Sequence, residues 1–362
     1  MTATMPDTQT DTQTDTQTDR TQIPGVADAT PITDASGITD ASGEALADEV
    51  VAAAVAPSAY EAMLARLSHQ SVVKHFDAYA DIAWDSPDFE IHRDDPRWIL
   101  PADDALGATA WYQALDPATQ AQLGLDLVAS KMKIGLIFEG VLKQGLLQFA
   151  NTLPNGSPEF RYAYHEVIEE AQHSLMFQEF VNRSGFDAAG LRRTDAAAAR
   201  VISTLGRRFP PLFFVFVLGG EDPIDYVQRR ELRSGRDLHP LLERIMRIHV
   251  TEEARHLSFA RQYLKQHAKG LSVHKRRALG IGAPIILAVM AQMMLKPSPQ
   301  IVDAYAIPKD VIKEAFDDNE RHREQTLTSL RKVRQLIEDL GLLTPSYRRL
   351  WKTLGLWQKT PA

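Results

Sequence analysis

The sequence predicts an all-α protein, and two observations carry the prediction. Over long stretches apolar residues recur at helical spacing, and hardly any segment alternates apolar and polar residues at period two. The 362 residues and 44% hydrophobic content suffice for one large domain with a buried core.

From Met1 to about Ala56 the chain is low-complexity. "DTQTDTQTDTQTD" repeats every four residues and "ITDASGITDASG" every six, and neither has an apolar period. Such segments cannot bury enough surface to offset their ordering entropy, so residues 1–56 are expected to be a disordered tail and 57–362 a single helical domain. Between Pro57 and about Pro101 the pattern gives short helical stretches and turns, with "SPDFEIHRDDPRW" reading as a loop punctuated by Pro87 and Pro96. Long helices follow at about Pro117–Thr152, Pro158–Arg183, Pro210–Arg233 and Leu238–His267. Further helices are expected at about 272–295, 298–306, 308–340 and 345–356.

The formal net charge of −7 provides no basic field for nucleic acid. The chain has no cysteine, which excludes disulfides, thiolate metal ligands and a cysteine nucleophile. The first residues show neither a basic n-region nor an apolar h-region, so a cytoplasmic location is expected. The most apolar run, "ALGIGAPIILAVMAQMML" from Ala278 to Leu295, is at the lower length limit for a membrane span. Two glycines, Pro284 and Gln292 interrupt it, so it reads as a buried helix or channel wall and no span is expected.

The ionisable residues of the four long helices are unusually placed. In the first, Glu139 is the only acid in a run flanked by Ile134, Leu136, Ile137, Phe138, Val141 and Leu142, and a lone buried carboxylate costs several kcal/mol unless paired, protonated or metal-bound. The second carries Glu170-x-x-His173, with His165, Glu166 and Glu169 as outer partners or solvated groups. In the third, Glu221 and Asp222 end an apolar run, Gly219 and Gly220 permit close approach, and Pro223 is expected to distort the helix. The fourth contains "HVTEEARH". At about 100° per residue, His249, Glu253 and His256 fall within roughly 60° of one another, whereas Glu252 points off that stripe and is assigned to solvent.

Four-helix di-iron carboxylate proteins take one Glu from each of two helices and Glu-x-x-His from each of the other two. Glu139, Glu170 with His173, Glu221 and Glu253 with His256 supply that set on four successive helices, Asp222 remaining a rival to Glu221. The expected fold is therefore a ferritin-like four-helix bundle with a dinuclear metal site and additional flanking helices. Hard carboxylate and imidazole donors suit iron or manganese.

His249 adds a third histidine to the usual pair. His249-x-x-x-Glu253-x-x-His256 after an upstream Glu170-x-x-His173 resembles the aminobenzoate N-oxygenase family of di-iron proteins, which includes the arylamine N-oxygenase of chloramphenicol biosynthesis. The resemblance covers roughly residues 105–360, including "YRRLWKTLGLW" near the C-terminus. It implies a cluster of two Fe ions held by Glu139, Glu170, His173, Glu221, His249, Glu253 and His256. It also implies oxidation of an aromatic amine to a nitro group through hydroxylamine and nitroso stages, with O2 as co-substrate and electrons from an external donor, in natural-product biosynthesis. A homodimer is a candidate assembly for this architecture. The family's benzoate enzyme holds its substrate's carboxylate with arginine, where this chain has Lys131 and Lys133, with Ile134 nearer the core. A larger arylamine is thus as compatible as a free benzoate. Arg321, Arg323 and Arg331 are distant candidates for an anion anchor, although their helix reads as a solvated face. Met290, Met293 and Met294 with Phe213, Phe214 and Phe216 line either an amine pocket or the core.

Two other classes fit parts of the pattern. A di-iron or Mn/Fe oxidase acting on C–H bonds of an acyl or lipid-like substrate would use the apolar run near Ile281–Leu295. A ferritin-type iron store would share the carboxylates, but such chains are much shorter. Tyr162 and Tyr164 lie roughly two turns before Glu170, too far to serve as radical-forming neighbours of that ligand.

Overall fold

The computed structural model describes residues 58–190 and 193–357, and the tail expected over 1–56 lies outside them. Among the described residues every regular element is helical. In chain order these are α1 (Ala59–Val73), α2 (Ala110–Gln113), α3 (Pro117–Ala150), α4 (Pro158–Ser184), α5 (Arg193–Arg208), α6 (Pro210–Leu232), α7 (Pro240–His267) and α8 (Val273–Leu295). The C-terminal part adds α9 (Pro299–Ala304), α10 (Lys309–Ile312), α11 (Glu320–Ser329), α12 (Arg331–Asp339) and α13 (Pro345–Thr353).

Local chemistry sets the ends of the long helices. Proline occupies the first turn of α3, α4, α6 and α7, where its missing N–H would have no intrahelical partner. The Asp116 carboxylate accepts from the Thr119 N–H ahead of α3, and the His239 ring accepts from the Leu241 N–H ahead of α7. Helix α4 stops at Gly185, whose φ of 73° is left-handed and favours glycine.

Helices α3, α4, α6 and α7 form the bundle: α3 packs on α4, α6 on α7, and the α3–α6 and α4–α7 contacts close it. Two apolar clusters fix their directions. One gathers Phe149 from the end of α3, Tyr162 from the start of α4, Phe214 from the start of α6, and Phe259 and Tyr263 from the end of α7. The other joins Leu125 and Met132 from the first half of α3, Phe177 and Phe180 from the second half of α4, and Leu241 and Ile245 from the start of α7. Thus α3 and α7 run one way, α4 and α6 the other. The link between α4 and α6 has to return along the bundle, and α5 packs on both α3 and α6 in that link. One such crossover characterises ferritin-like bundles. The predicted acids and histidines sit mid-helix, between the two apolar clusters.

The sequence pattern did not separate α5 from its surroundings. Its approach to α3 needs a glycine, because a Cβ on Gly206 would fall 1.9 Å from the Gly145 carbonyl oxygen. Backbone cannot move aside as a flexible side chain can. Gly206→Ala gains about 1 kcal/mol of helix propensity yet should cost about 1–3 kcal/mol net by forcing the helices apart. A thermal melt should show Tm falling by several degrees, and an unchanged or raised Tm would rule out the close crossing.

One further expectation is corrected. The pattern predicted to be one helix over 308–340 is broken: α10 passes into a π-helical turn at Lys313–Asp317, and α11 begins anew where the Asn319 side chain accepts from the His322 N–H. A second junction at Leu330 separates α11 from α12. Helix α6 in contrast runs through Pro223, which forfeits its own bond to the preceding turn without ending the helix.

Helix α8 packs on α6 through Leu279, Ala283, Leu287 and Met290, whereas Ile281, Ile285 and Val289 are 41–52% exposed. It is long and apolar enough to cross a membrane by length and composition, with less than half of its most apolar window buried.

Candidate metal centre

The seven residues assigned as ligands lie at the bundle's centre. Glu139 comes from α3, Glu170 and His173 from α4, Glu221 from α6, and His249, Glu253 and His256 from α7, each at most 2% exposed. Their donor atoms converge. His173 Nδ1 is 3.3 Å from Glu170 Oε2, 3.5 Å from Glu253 Oε1 and 3.8 Å from Glu139 Oε1. His256 Nδ1 is 3.1 Å from both Glu170 Oε1 and Glu253 Oε1. His249 Nε2 is 3.6 Å from Glu139 Oε1, 3.7 Å from Glu253 Oε1 and 3.9 Å from Glu221 Oε2. Asp222 does not join them: it pairs with Arg261 on the outer side of α6, which leaves Glu221 as the inward acid.

Each histidine is held from behind. His173 Nε2 is 2.9 Å from Glu252 Oε2, His256 Nε2 is 2.7 Å from Glu169 Oε2, and His249 Nδ1 is 2.9 Å from Gln228 Oε1. An acceptor at the outer nitrogen fixes a proton there and aims the inner nitrogen at the cluster, the arrangement metal-binding imidazoles adopt. The assignment of Glu252 to solvent is therefore overturned. It is fully buried, its Oε2 holds His173, and its Oε1 accepts from the Phe76 N–H 3.1 Å away. Glu169 is likewise buried, and Arg255 Nη2 bridges the two outer acids at 2.7 Å from Glu169 and 3.4 Å from Glu252. A repeat in the sequence carried this signal: "EEAQH" at Glu169–His173 and "EEARH" at Glu252–His256. In each, the second Glu and the His face the centre, while the first Glu orients the histidine of the other helix.

The charge balance of the site is uneven. Seven carboxylates (Glu139, Glu166, Glu169, Glu170, Glu221, Glu252 and Glu253) share one buried space with a single arginine. Burial pushes Glu139 and Glu221 well above the usual carboxylate range, with the charges of Glu170 and Glu253 respectively adding to it. Burial alone would also raise Glu170, but the His256 charge and its hydrogen bonds to both histidines pull it well below. His249 is driven well below the usual range by burial and by the neighbouring His173, so it is neutral. Glu139 Oε2, Glu253 Oε2 and both oxygens of Glu166 have no hydrogen-bond partner. Buried acids in this number, with orphaned oxygens facing neutral or orientable imidazoles, need cations. Four groupings of three donors, each within 4.8 Å of one another, mark where such ions fit: Glu139–His173–His249, Glu170–His173–Glu253, Glu221–His249–Glu253 and Glu166–Glu170–His256.

Glu139, Glu221 and His249 also line a cavity of about 220 Å³ together with Phe138, Phe177, Ile224 and Gln228. Lys131 lines it too, whereas Lys133 is turned to Gln178 at 2.8 Å. Arg323 pairs with Glu320 at the surface, and neither it nor Arg321 or Arg331 reaches this cavity. Of Met290, Met293 and Met294, only Met294 lines it. Met290 and Met293 face an adjoining apolar pocket of about 280 Å³ with Phe216, and Phe213 and Phe214 are core.

A bundle of this topology, with paired Glu-x-x-His helices around buried carboxylates, belongs to the ferritin-like class that houses carboxylate-bound metal pairs. Within that class, the chain is a member of the p-aminobenzoate N-oxygenase (AurF) family, whose sequence model matches residues 57–341. It is also 41% identical over 293 residues to uncharacterized proteins of Mycobacterium tuberculosis (Rv0885) and Mycobacterium bovis (Mb0909), covering 81% of this chain and 86% of each of theirs.

Proposed function

We propose that this protein is a di-iron monooxygenase that converts an aromatic amine to a nitro compound through hydroxylamine and nitroso stages, drawing on O2 and an external electron donor. The ligands assigned are Glu139, Glu170, His173, Glu221, His249, Glu253 and His256. One observation carries the reading: the three histidines and four acids of the resemblance meet at one buried point that opens, through Glu139, Glu221 and His249, onto a cavity of about 220 Å³. Family membership supports an oxygenase, and hard oxygen and nitrogen donors suit iron. Bound iron would supply electrons for O2 reduction and polarise the oxygen delivered.

The protein's own residues do the rest. Gln228, Glu252 and Glu169 keep three imidazoles in the donor tautomer. Phe138, Phe177 and Ile224 give the cavity apolar surface beside the ligands, which suits the ring of an arylamine. The apolar pocket beyond Ile134, Phe138 and Met294 would take a longer substituent, which favours an arylamine larger than a free benzoate. A cytoplasmic enzyme of natural-product biosynthesis is the setting that fits this chemistry.

The test is a single-turnover reaction. Apoprotein loaded with Fe(II), exposed to O2 and then given 4-aminobenzoate or a longer para-substituted aniline, should bind two irons per chain and yield hydroxylamine or nitro product by mass spectrometry. Oxidation of the iron with every arylamine recovered unchanged would overturn the N-oxygenase reading and leave a C–H oxidase in its place.

A further inference from the structure

Of the three buried acids at the centre that are not among the assigned ligands, one has no partner. Glu166 lies on α4 one turn before Glu170, is fully buried, and neither of its carboxylate oxygens has a hydrogen-bond partner. Its neighbours in the outer ring are differently placed: Glu169 is held by Arg255 and His256, and Glu252 by Arg255, His173 and the Phe76 N–H. Arg255, the cation of that ring, is thus already shared between two other acids.

The donor groupings add a second, independent observation. His173 and His249 each take part in two of the four. Among the described residues, His256 takes part in one alone, and its companions there are Glu170 and Glu166. We propose that Glu166 is an eighth protein ligand of the metal centre, a terminal carboxylate for the ion held by His256. The inference rests on the two-iron reading above. It explains why an apolar side chain does not occupy the position: a carboxylate with no partner costs several kcal/mol when buried, and a leucine there would cost nothing comparable. A group that weakens the empty bundle is retained because it binds the cation that fills it.

Glu166→Gln and Glu166→Leu, studied as full-length proteins, test this. Each apoprotein is melted, titrated anaerobically with Fe(II), and loaded with ⁵⁷Fe for Mössbauer spectroscopy. Both variants should fold with an apoprotein Tm equal to or above that of the wild type, since the group removed satisfies nothing. One of the two irons should bind at least about 10-fold more weakly, and the Mössbauer doublet of that iron alone should shift. Two irons bound with unchanged affinity and unchanged doublets would overturn the assignment while leaving the two-iron reading intact. A clear drop in the apoprotein Tm of both variants would overturn it as well, by showing a structural role. A wild type that fails to hold two irons would remove both readings together.

Discussion

Glu253→Ala should abolish the centre while leaving the bundle standing. Glu253 Oε1 lies within 4 Å of all three histidines, at 3.1 Å from His256, 3.5 Å from His173 and 3.7 Å from His249. No other acid reaches all of them: Glu170 faces His173 and His256, Glu139 faces His173 and His249, and Glu221 faces His249. A carboxylate within reach of all three histidines could serve both ions, so its loss should weaken both sites rather than one. The expected results are fewer than two irons per chain after desalting and N-oxygenation reduced by at least about two orders of magnitude, beyond the 10–100-fold that outer partners of a metal site usually contribute. A stability readout separates this from misfolding. Iron that binds only the folded state raises the wild-type Tm, and the rise grows with the ratio of free metal to Kd. In Glu253→Ala that metal-dependent increment should vanish, whereas the apoprotein should melt near the wild-type apoprotein. Two irons held at wild-type affinity would remove Glu253 from the centre.

The sequence made the bundle and its inward residues legible because both depend on period. A ligand has to face the centre, so Glu139, Glu170, His173, Glu253 and His256 fall on the apolar stripes of their helices, where ionisable residues stand out. Glu221 against Asp222 needed the structure, since adjacent residues differ by one helical step and only the Arg261 pairing shows which points outward. Glu252 was misplaced for a related reason. A helical wheel gives each helix a dry side and a wet side, but α7 has little wet side at this level. The segment at Phe76 covers one flank and α4 the other, so an off-stripe residue meets protein instead of solvent. The single helix read over 308–340 failed because periodicity is blind to capping: Asn319 starts a new helix with its side chain while the apolar spacing continues across the break.

Arg255→Met should be among the most destabilising single substitutions in the bundle. Arg255 is 5% exposed and its Nη2 ties together Glu169 and Glu252, the two acids that orient His256 and His173. Burial acts to raise Glu169, yet it is held low, at about 2, first by the bond to the His256 ring and the His256 charge and then by Arg255. Methionine fills a similar volume but leaves two buried acids without their shared cation. Removing one partner from a buried ionic network costs about 3–5 kcal/mol, far more than the pair contributes over an apolar replacement of the whole set. Chemical denaturation of the apoprotein should show a loss of that size. Arg255→Lys should recover only part of it, since lysine restores the charge but not the guanidinium's fixed planar set of donors. Adding Glu169→Gln to Arg255→Met should restore stability above that of Arg255→Met alone, because one of the two stranded charges is gone, and the double-mutant cycle measures the coupling directly. Iron affinity should not follow that recovery. Glutamine at 169 still accepts from His256 through its carbonyl, but His173 remains tied to an acid that has lost its countercharge. A variant that unfolds within about 1 kcal/mol of the wild type would show that solvent or a neighbouring side chain takes over from Arg255, and that the paired "EEAQH" and "EEARH" segments hold their histidines without it.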